Sequence, residues 1–347
     1  MILWICFHSA IIILLTLYKY SKQQYKVFYK WFLIAVLIYF ATYRDGLGSD
    51  YYNYISRLNT YNSLDSLILG YSEPLFSIIG LVINESFFSP IFLFLFCATI
   101  TNVGIATFLF NYKEFAIISI LIYVFLPTLY GQSFNIMRQY VSIGLFYISL
   151  NYVGKSKVKY FLIVTIAFLM HMSSVVLYPL YWLLQINIKR KYVLPILLFL
   201  IVILGLGLSF IQGLDVKYAE EASSNKTMEA SGMIMLYNLF FLFYLLNKKV
   251  YEGFPVICRN VFILFILIID MSYLNFFYYR LSYYFFPIIA ISIPYILFKY
   301  TQKHFLSYAF VLFLAVTNYY SLISNIGNPI IIPNDILPIL SIFDFYY

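Results

Sequence analysis

One arginine, Arg138, stands in the segment 131–142, GQSFNIMRQYVS, at the start of an apolar helical stretch. A charge in such a segment is expensive in lipid, so by default it marks a functional site. Helical spacing predicts that Asn135, Gln139 and Ser142 share one face with it. This polar face must look towards protein or water, and an anion is the natural ligand for an arginine held there.

The composition indicates an integral membrane protein. Of the 347 residues, 63% are hydrophobic, 22% aromatic and 10% charged, and the mean hydropathy is +0.87. Soluble domains of this size do not have such a composition. Cys6, Cys97 and Cys258 lie in apolar stretches without paired spacing, which predicts buried free thiols rather than disulfides or a zinc site. Residues 2–18 lack the basic start and the cleavage signature of a signal peptide, so they are predicted to remain as the first span.

The net charge is +8, and the distribution of the charges along the chain indicates the two sides of a membrane rather than a nucleic-acid surface. Most cations lie in short linkers between apolar runs, and these linkers contain only two acids, Glu114 and Glu252. By the positive-inside rule the linkers are cytoplasmic, and both chain termini then face outward. The linker cations are Lys19, Lys22, Lys26, Lys30, Lys113, Lys155, Lys157, Lys159, Lys189, Arg190, Lys191, Lys248, Lys249, Arg259, Lys299 and Lys303.

Hydropathy predicts a single all-α membrane domain over residues 1–347, with about 10–12 transmembrane helices. Residues 159–187 have basic clusters at both ends but are short for two full spans. They are predicted to form a helical hairpin or re-entrant pair whose apex lies near His171. The other predicted spans are 2–18, 27–43, 88–110, 114–130, 135–153, 192–210, 232–247, 256–277, 281–299 and 305–324.

Three segments are predicted to lie outside the membrane. Residues 44–87 form the first external loop, in which 73–84, EPLFSIIGLVIN, predicts a short interfacial helix with proline in its opening turn. Residues 211–231 form a second external loop. Residues 325–347, which contain three prolines, form an external tail.

The predicted topology gathers the unusual polar residues at the outer face. An outward-opening cavity lined by arginines, a histidine and carboxylates suits an anionic headgroup on an apolar tail. The expected ligand is therefore lipid-borne and phosphorylated. The residues gathered there are Arg44, Asp45, Asp50, Arg138, His171 and Arg280.

Each of these residues also has an interpretation without a functional role. Arg44, Arg138 and Arg280 can snorkel to the interface or anchor the chain there. Asp50 can begin a loop turn, and His171, which lies between two methionines, can be a hydrogen-bonded core residue.

Nucleotide, zinc-protease and serine-hydrolase motifs do not occur in the sequence. Asp45 and Asp50 are a weak signal for a metal, so no metal and no cofactor are predicted. Asp270 lies deep in its span, where a buried hydrogen bond to a neighbouring helix is expected.

Five motifs follow one another in a characteristic order. They are YRDGLGSDYYNY at 43–54, EP at 73–74, QSFNIMRQY at 132–140, AFLMHMSS at 167–174, and Arg280 before YYF at 283–285. In this order and spacing, over about residues 40–300, the chain resembles the EpsG family of Wzy-like polysaccharide polymerases.

The resemblance implies an enzyme that joins oligosaccharide repeat units carried on undecaprenyl diphosphate, at the outer face of the bacterial cytoplasmic membrane. It implies the multi-span fold of lipid-dependent, GT-C-like membrane glycosyltransferases. The product would be an O-antigen, a capsule or an exopolysaccharide. The expected partners are the lipid-linked oligosaccharide, the lipid bilayer, a flippase and a chain-length regulator, and no nucleic acid.

Residue roles follow from the same resemblance. Arg138 and Arg280, with Arg44 as a third, are expected to stabilise the diphosphate leaving group without a metal. His171 and Asp50 compete as the base for the acceptor hydroxyl, and His171 is favoured. The remaining substrate-binding candidates are Gln132, Asn135 and Gln139.

Two other functions suit a membrane cavity lined by arginines. One is a flippase or transporter of lipid-linked sugar, although no inverted repeat and no polar belt towards the inner face is seen in the sequence. The other is a glycosyltransferase that uses a polyprenyl-phosphate sugar, which would have the same cavity lining.

The topology predicts which introduced cysteines are accessible from outside, in a background lacking the native cysteines. Ser49→Cys and Ser224→Cys should react with a membrane-impermeant thiol reagent in intact cells. Ser156→Cys should react only after permeabilisation, because it lies in a basic linker. The reverse labelling pattern would invert the topology and remove the argument for an outward-facing site.

Overall fold

The computed structural model describes residues 2–44, 48, 50–58, 73–85, 90–212 and 232–324. Within these ranges the chain forms α-helices and short 3-10 turns and contains no strand, which confirms the all-α prediction. The predicted tail at 325–347 lies outside the described residues. So do all but the first two residues of the predicted loop at 211–231.

The described residues group into two compact units. One comprises residues 1–179 and the segment from Tyr308 onward, and the other comprises residues 180–307. The helices of the first unit are α1 (Ile2–Tyr20), α2 (Gln23–Thr42), α3 (Tyr51–Leu58), α4 (Pro74–Glu85), α5 (Ile91–Asn111), α6 (Ala116–Phe125), α7 (Met137–Ser149), α8 (Lys157–Met170) and most of α16 (Phe305–Ser324). Those of the second unit are α9 (Leu180–Leu183), α10 (Val193–Gln212), α11 (Gly232–Leu246), α12 (Lys248–Gly253), α13 (Val256–Met271), α14 (Phe276–Ser282) and α15 (Ile289–Thr301).

Apolar helices consistent with a membrane protein run through both units. Among the described residues, α2 and α5 are long and apolar enough to cross a membrane by length and composition. Helix α14 and residues 286–301 form a bent pair, with a 54° angle, that counts as a third span if the two pieces are taken together.

Several predicted spans differ from the helices at their ends. The span predicted at 256–277 ends early, because α13 stops at Met271, and the span predicted at 281–299 is broken, because α14 ends at Ser282 and α15 begins only at Ile289. The span predicted at 114–130 ends early, because α6 stops at Phe125. Leu126 is extended there, and residues before proline, here Pro127, disfavour the helical conformation. The span predicted at 135–153 begins late, since α7 starts only at Met137.

The predicted reversal of the chain at His171 is confirmed. Helix α8 ends at the preceding residue, and His171 itself is extended, with φ −156° and ψ 116°. The 3-10 turn Met172–Leu177 then runs back along α8, where the Tyr160 hydroxyl donates to the carbonyl of Leu177 at 2.7 Å. His171 therefore lies at the tip of a helical hairpin.

Helices α5 and α7 cross with their backbones in contact. A Cβ atom added to Gly104 would lie 2.1 Å from the Gly144 carbonyl oxygen, and one added to Gly144 would lie 2.6 Å from the Ile100 carbonyl oxygen. Such close crossings are typical of small residues in membrane helices. The crossing fixes α7, and with it the turn that carries Arg138, against α5.

The short helix predicted within 73–84 is present as α4. It packs against α8, α5 and α3. One apolar cluster joins all these helices with α7, because it contains Tyr54 of α3, Phe76 of α4, Phe94 of α5, Met137 of α7 and Met170 of α8. The site described below lies next to this cluster.

In the second unit, α13 packs against α10, α11, α14 and α15. Asp270 of α13 accepts a hydrogen bond from the Asn238 carboxamide of α11 at 2.7 Å, which confirms the helix-to-helix bond expected from the sequence. Cys6, Cys97 and Cys258 form no disulfide. Cys97 and Cys258 are buried as predicted, but the prediction is wrong for Cys6, which lies on an exposed face of α1.

The α5–α7 crossing predicts that Gly104→Ala destabilises the protein. The new methyl group would meet backbone that cannot rotate away, so we expect a loss of about 2 kcal/mol or more, seen as a lower Tm of the purified protein in detergent. Gly205→Ala in α10 is the matched control, because a Cβ there meets nothing within 4 Å. Equal Tm values for the two variants would contradict the close crossing.

Candidate functional site

A single carboxylate, that of Glu73, binds both Arg138 and His171. Its Oε1 lies 2.5 Å from His171 Nδ1, and its Oε2 forms an ion pair with Arg138 Nη1. Glu73 immediately precedes α4, Arg138 lies in the first turn of α7, and His171 follows α8. The carboxylate therefore joins three segments that are distant in the sequence.

The three side chains differ in exposure. The side chain of Glu73 is 6% exposed, whereas those of Arg138 and His171 are 21% and 17% exposed. Glu73 is thus buried, whereas part of each of its two partner side chains is exposed. In a neutral His171, the carboxylate favours the proton on Nδ1 and leaves the lone pair on Nε2.

The surroundings of Glu73 keep it ionised. Burial alone would raise the pKa of this carboxyl, but the hydrogen bond from His171 and the positive charge of Arg138 together outweigh it. The pKa falls from its usual 4.5 to about 2. The carboxylate is therefore negatively charged at neutral pH.

The guanidinium of Arg138 is held from more than one side. It donates to the hydroxyl of Tyr54 on α3 as well as to Glu73. It also lies over the ring of Phe76, 5.7 Å from the centroid. These contacts fix the plane of the guanidinium before any ligand arrives.

Arg44 is buried beside the turn that precedes α7. Its Nη1 donates to the Phe134 carbonyl oxygen at 2.6 Å, and its guanidinium carbon lies 4.7 Å from the ring centroid of Phe94. Its Nη2 lies 2.9 Å from the sulfur of Met137. Burial lowers the pKa of Arg44 to about 10, which leaves it cationic at neutral pH. Arg44 thus supports the turn that carries Arg138, and its contact with a substrate stays a prediction.

The loop that contains Asp50 lies against the same turn. Gly48 has a φ of +111°, and a Cβ there would lie 3.0 Å from Asn135 Oδ1, so a larger residue would be strained and crowded. The Asp50 carboxylate is half-buried and accepts a hydrogen bond from the Asn53 carboxamide at 3.3 Å. The Asp50 carbonyl also accepts from the Tyr54 amide at 3.0 Å, so Asp50 lies immediately before α3 and accepts its first backbone hydrogen bond.

The polar face predicted around Arg138 is only partly correct. Asn135 lies outside α7, because residues 131–134 form a 3-10 turn and Ile136 breaks the helical geometry. Ser142 is fully buried and donates to the Ala167 carbonyl of α8 at 2.8 Å, so it packs two helices together. Gln132 and Gln139, which are close to Arg138 in the sequence, are buried. Their contacts with a substrate remain predictions.

Arg280 lies in the last turn of α14, in the second unit, and is half-buried. Its expected role in binding the diphosphate stays a prediction. In the described parts of the chain, no three or more His, Cys, Asp or Glu side chains are grouped closely enough to hold a metal ion.

Glu73 is the residue that the sequence analysis did not assign to the site. The motif at 73–74 contained it, but only as the start of an apolar helix. A usable signal was present, since Arg138 and His171 both lie in apolar segments and a buried cation needs a counter-charge. Glu73, at the start of an apolar helix in the predicted external loop 44–87, was an acid that could supply this counter-charge.

Comparison with known protein families matches residues 28–333 to the model of the EpsG family. The chain belongs to the EpsG family. EpsG is a family of Wzy-like polysaccharide polymerases, which confirms the resemblance seen in the motifs. No curated protein and no solved structure matches the chain. The EpsG match includes Glu73, Arg138 and His171, so the three linked side chains lie inside the family region.

The lowered pKa of Glu73 predicts how Glu73→Gln changes stability with pH. A carboxyl with a depressed folded-state pKa stabilises the protein fully above its unfolded pKa, about 4.5, and loses that contribution as the pH falls through about 2. At neutral pH the variant leaves Arg138 without its counter-charge, so we expect it to be less stable by about 3 kcal/mol.

The measurement is the Tm of both proteins in detergent, from about pH 7 down to the lowest pH that each tolerates. The difference in Tm between the wild type and Glu73→Gln should become smaller below about pH 5. A gap that stays constant across this range would show that the charge of Glu73 contributes nothing.

Proposed function

We propose that this protein polymerises oligosaccharide repeat units, carried on undecaprenyl diphosphate, into a surface polysaccharide. The site would face the outer side of the bacterial cytoplasmic membrane, in a GT-C-like arrangement of about 10–12 spans. Family membership supports the reaction class. The observation that carries the mechanism is the Glu73 carboxylate shared by a cation and an imidazole.

The reaction transfers a glycosyl group from one lipid carrier to the end of another repeat unit. An acceptor hydroxyl oxygen attacks the anomeric carbon, and a new glycosidic C–O bond forms. The bond between that carbon and the diphosphate oxygen breaks, and the lipid diphosphate leaves with the electron pair. The hydroxyl proton passes to Nε2 of His171, so atoms and charge balance without a further reactant.

The linked side chains match the way that charge develops in this reaction. Before transfer, the cationic Arg138, the anionic Glu73 and the neutral His171 sum to zero. When His171 accepts the proton, the three sum to one positive charge. This charge appears as the leaving diphosphate gains negative charge, so the site stabilises the transition state more than the bound substrate.

Arg138 suits the leaving group for a second reason. Its guanidinium is fixed by Glu73, Tyr54 and the ring of Phe76, yet its side chain is 21% exposed. A fixed guanidinium need not reorganise during the reaction, and its planar shape matches phosphate oxygens. Arg44 and Arg280 remain candidates for further phosphate contacts.

His171 is better arranged than Asp50 to act as the base. Its Nδ1 is held by Glu73, which orients the ring as a third group does for a catalytic base. The Asp50 carboxylate instead accepts from Asn53 at the start of α3. We therefore assign acceptor activation to His171 and a positioning role to Asp50.

The two alternative functions make different demands on this site. A flippase moves the lipid-linked sugar across the membrane without making or breaking a covalent bond, so it needs no histidine base. A glycosyltransferase that uses a polyprenyl-phosphate sugar needs the same base but has a monophosphate leaving group. The shared carboxylate favours a transferase, and family membership favours the polymerase.

Deletion of the gene, followed by complementation, tests the proposal. The deleted strain should accumulate single repeat units on the outer leaflet and make no long polymer, and the wild-type gene should restore polymer length. Material trapped on the inner leaflet would favour a flippase. Polymer of normal length that lacks only one side-chain sugar would favour the glycosyltransferase that uses a polyprenyl-phosphate sugar.

Complementation with variants separates the two candidate bases. His171→Gln should bind the lipid-linked donor but slow transfer by about 100-fold or more, the usual effect of losing a positioned base. Asp50→Asn should be milder. Full-length polymer at the normal rate from His171→Gln, with none from Asp50→Asn, would move the base to Asp50.

A further inference from the structure

The second unit contains a buried cation, Arg259, that no acid neutralises within the described residues. From the sequence it is predicted to be a linker cation, but it is the fourth residue of α13 and only 3% exposed. Its Nη2 donates to Asn187 Oδ1 at 2.6 Å, and its guanidinium carbon lies 4.8 Å from the ring centroid of Tyr251. Its Nε is buried and has no acceptor in the described chain.

The segment next to Arg259 is held rigidly. The neighbouring Asn260 side chain donates to the carbonyl oxygens of Leu184 and Ile186, at 3.1 and 2.8 Å. These bonds tie the end of the hairpin segment to α13 and place Asn187 over Arg259. Asn187 itself is exposed, so the buried guanidinium lies directly beneath the surface.

Two basic linkers meet at this point. The Tyr251 hydroxyl donates to the Ile188 carbonyl at 2.7 Å, which joins α12 to the linker before α10. Arg190 of that linker donates to the carbonyl of Leu245, at the end of α11, at 2.9 Å. Glu252, the acid in these linkers, is exposed and pairs with Lys248 at 3.7 Å. The cations of the two linkers are Lys189, Arg190, Lys191, Lys248 and Lys249.

We infer that Arg259 and Asn187 form a binding site for the phosphate group of an acidic membrane lipid. A buried guanidinium without a counter-charge is costly, and a neutral carboxamide with an aromatic ring compensates it only in part. A phosphate fits the planar guanidinium and supplies the missing charge. The surrounding cations suit the negative surface of a cytoplasmic leaflet, where basic pockets bind acidic headgroups.

This site shares no residue with the one proposed for polymerisation. Its residues belong to the second unit, whereas Glu73, Arg138 and His171 belong to the first. The inference therefore holds or fails independently of the proposed reaction. A lipid phosphate and free inorganic phosphate share the chemistry that Arg259 recognises, so the experiment must separate them.

The test uses the full-length protein purified in a neutral detergent, with Tm measured during titration by phosphatidylglycerol, phosphatidylcholine or inorganic phosphate. Phosphatidylglycerol should raise Tm in a saturable way, and phosphatidylcholine should not. Arg259→Gln should weaken the apparent affinity for phosphatidylglycerol by about tenfold or more, since a charge-assisted bond is lost. Lys113→Gln, an exposed residue of the first unit, removes the same charge and should leave the affinity unchanged.

Two results would overturn the inference. One is wild-type affinity for phosphatidylglycerol in Arg259→Gln. The other is an equal rise in Tm with inorganic phosphate, which would assign the site to a free anion instead of a lipid. If Arg259→Gln does not fold, Arg259→Lys serves instead, because it keeps the charge but loses the planar guanidinium. It should bind phosphatidylglycerol more weakly than wild type, and equal binding would also count against the inference.

Discussion

The Glu73 carboxylate must bind two partners at once, and the first unit is arranged so that it can. Arg138 comes from the start of α7, and His171 comes from the tip of the hairpin that follows α8. Buried charges of this kind are stable only when every partner is in place, because removing one leaves another uncompensated. The Gly104–Gly144 crossing and the packing of α4 on α8 keep the three segments in register.

The same arrangement links structure to chemistry. A neutral group of three side chains is tolerated next to an apolar cluster, whereas an arginine without a counter-charge would be costly there. In the proposed reaction, proton transfer to His171 would convert the neutral group into a cationic one at the moment when the diphosphate leaves. Stability and the proposed catalysis therefore both require Glu73 to remain a carboxylate. Its lowered pKa meets that demand.

The sequence predicted most helices and the chain reversal well, but it predicted poorly which charged side chains pair with each other. Apolar runs predicted most of the long helices within a few residues, and the basic clusters around 159–187 predicted a reversal at His171. The apolar runs failed at 256–277 and 281–299, where the chain forms the separate short helix α14 between α13 and α15. The helical periodicity failed at Asn135, because a 3-10 turn interrupts it before α7. Glu73 was missed, and Arg259 was misjudged as a linker cation. Which acid meets which cation depends on tertiary packing, and hydropathy and periodicity do not contain that information.

The protonation of His171 is the most direct test of this account. The chain has three histidines, so 15N-histidine labelling gives few signals, and the one lost in His171→Gln identifies the residue. At mildly alkaline pH, the account predicts that His171 carries its proton on Nδ1 and has a bare Nε2, and that Glu73→Gln shifts this balance towards the other tautomer. A proton on Nε2 in the wild-type protein, unchanged in Glu73→Gln, would contradict the link between the carboxylate and the base.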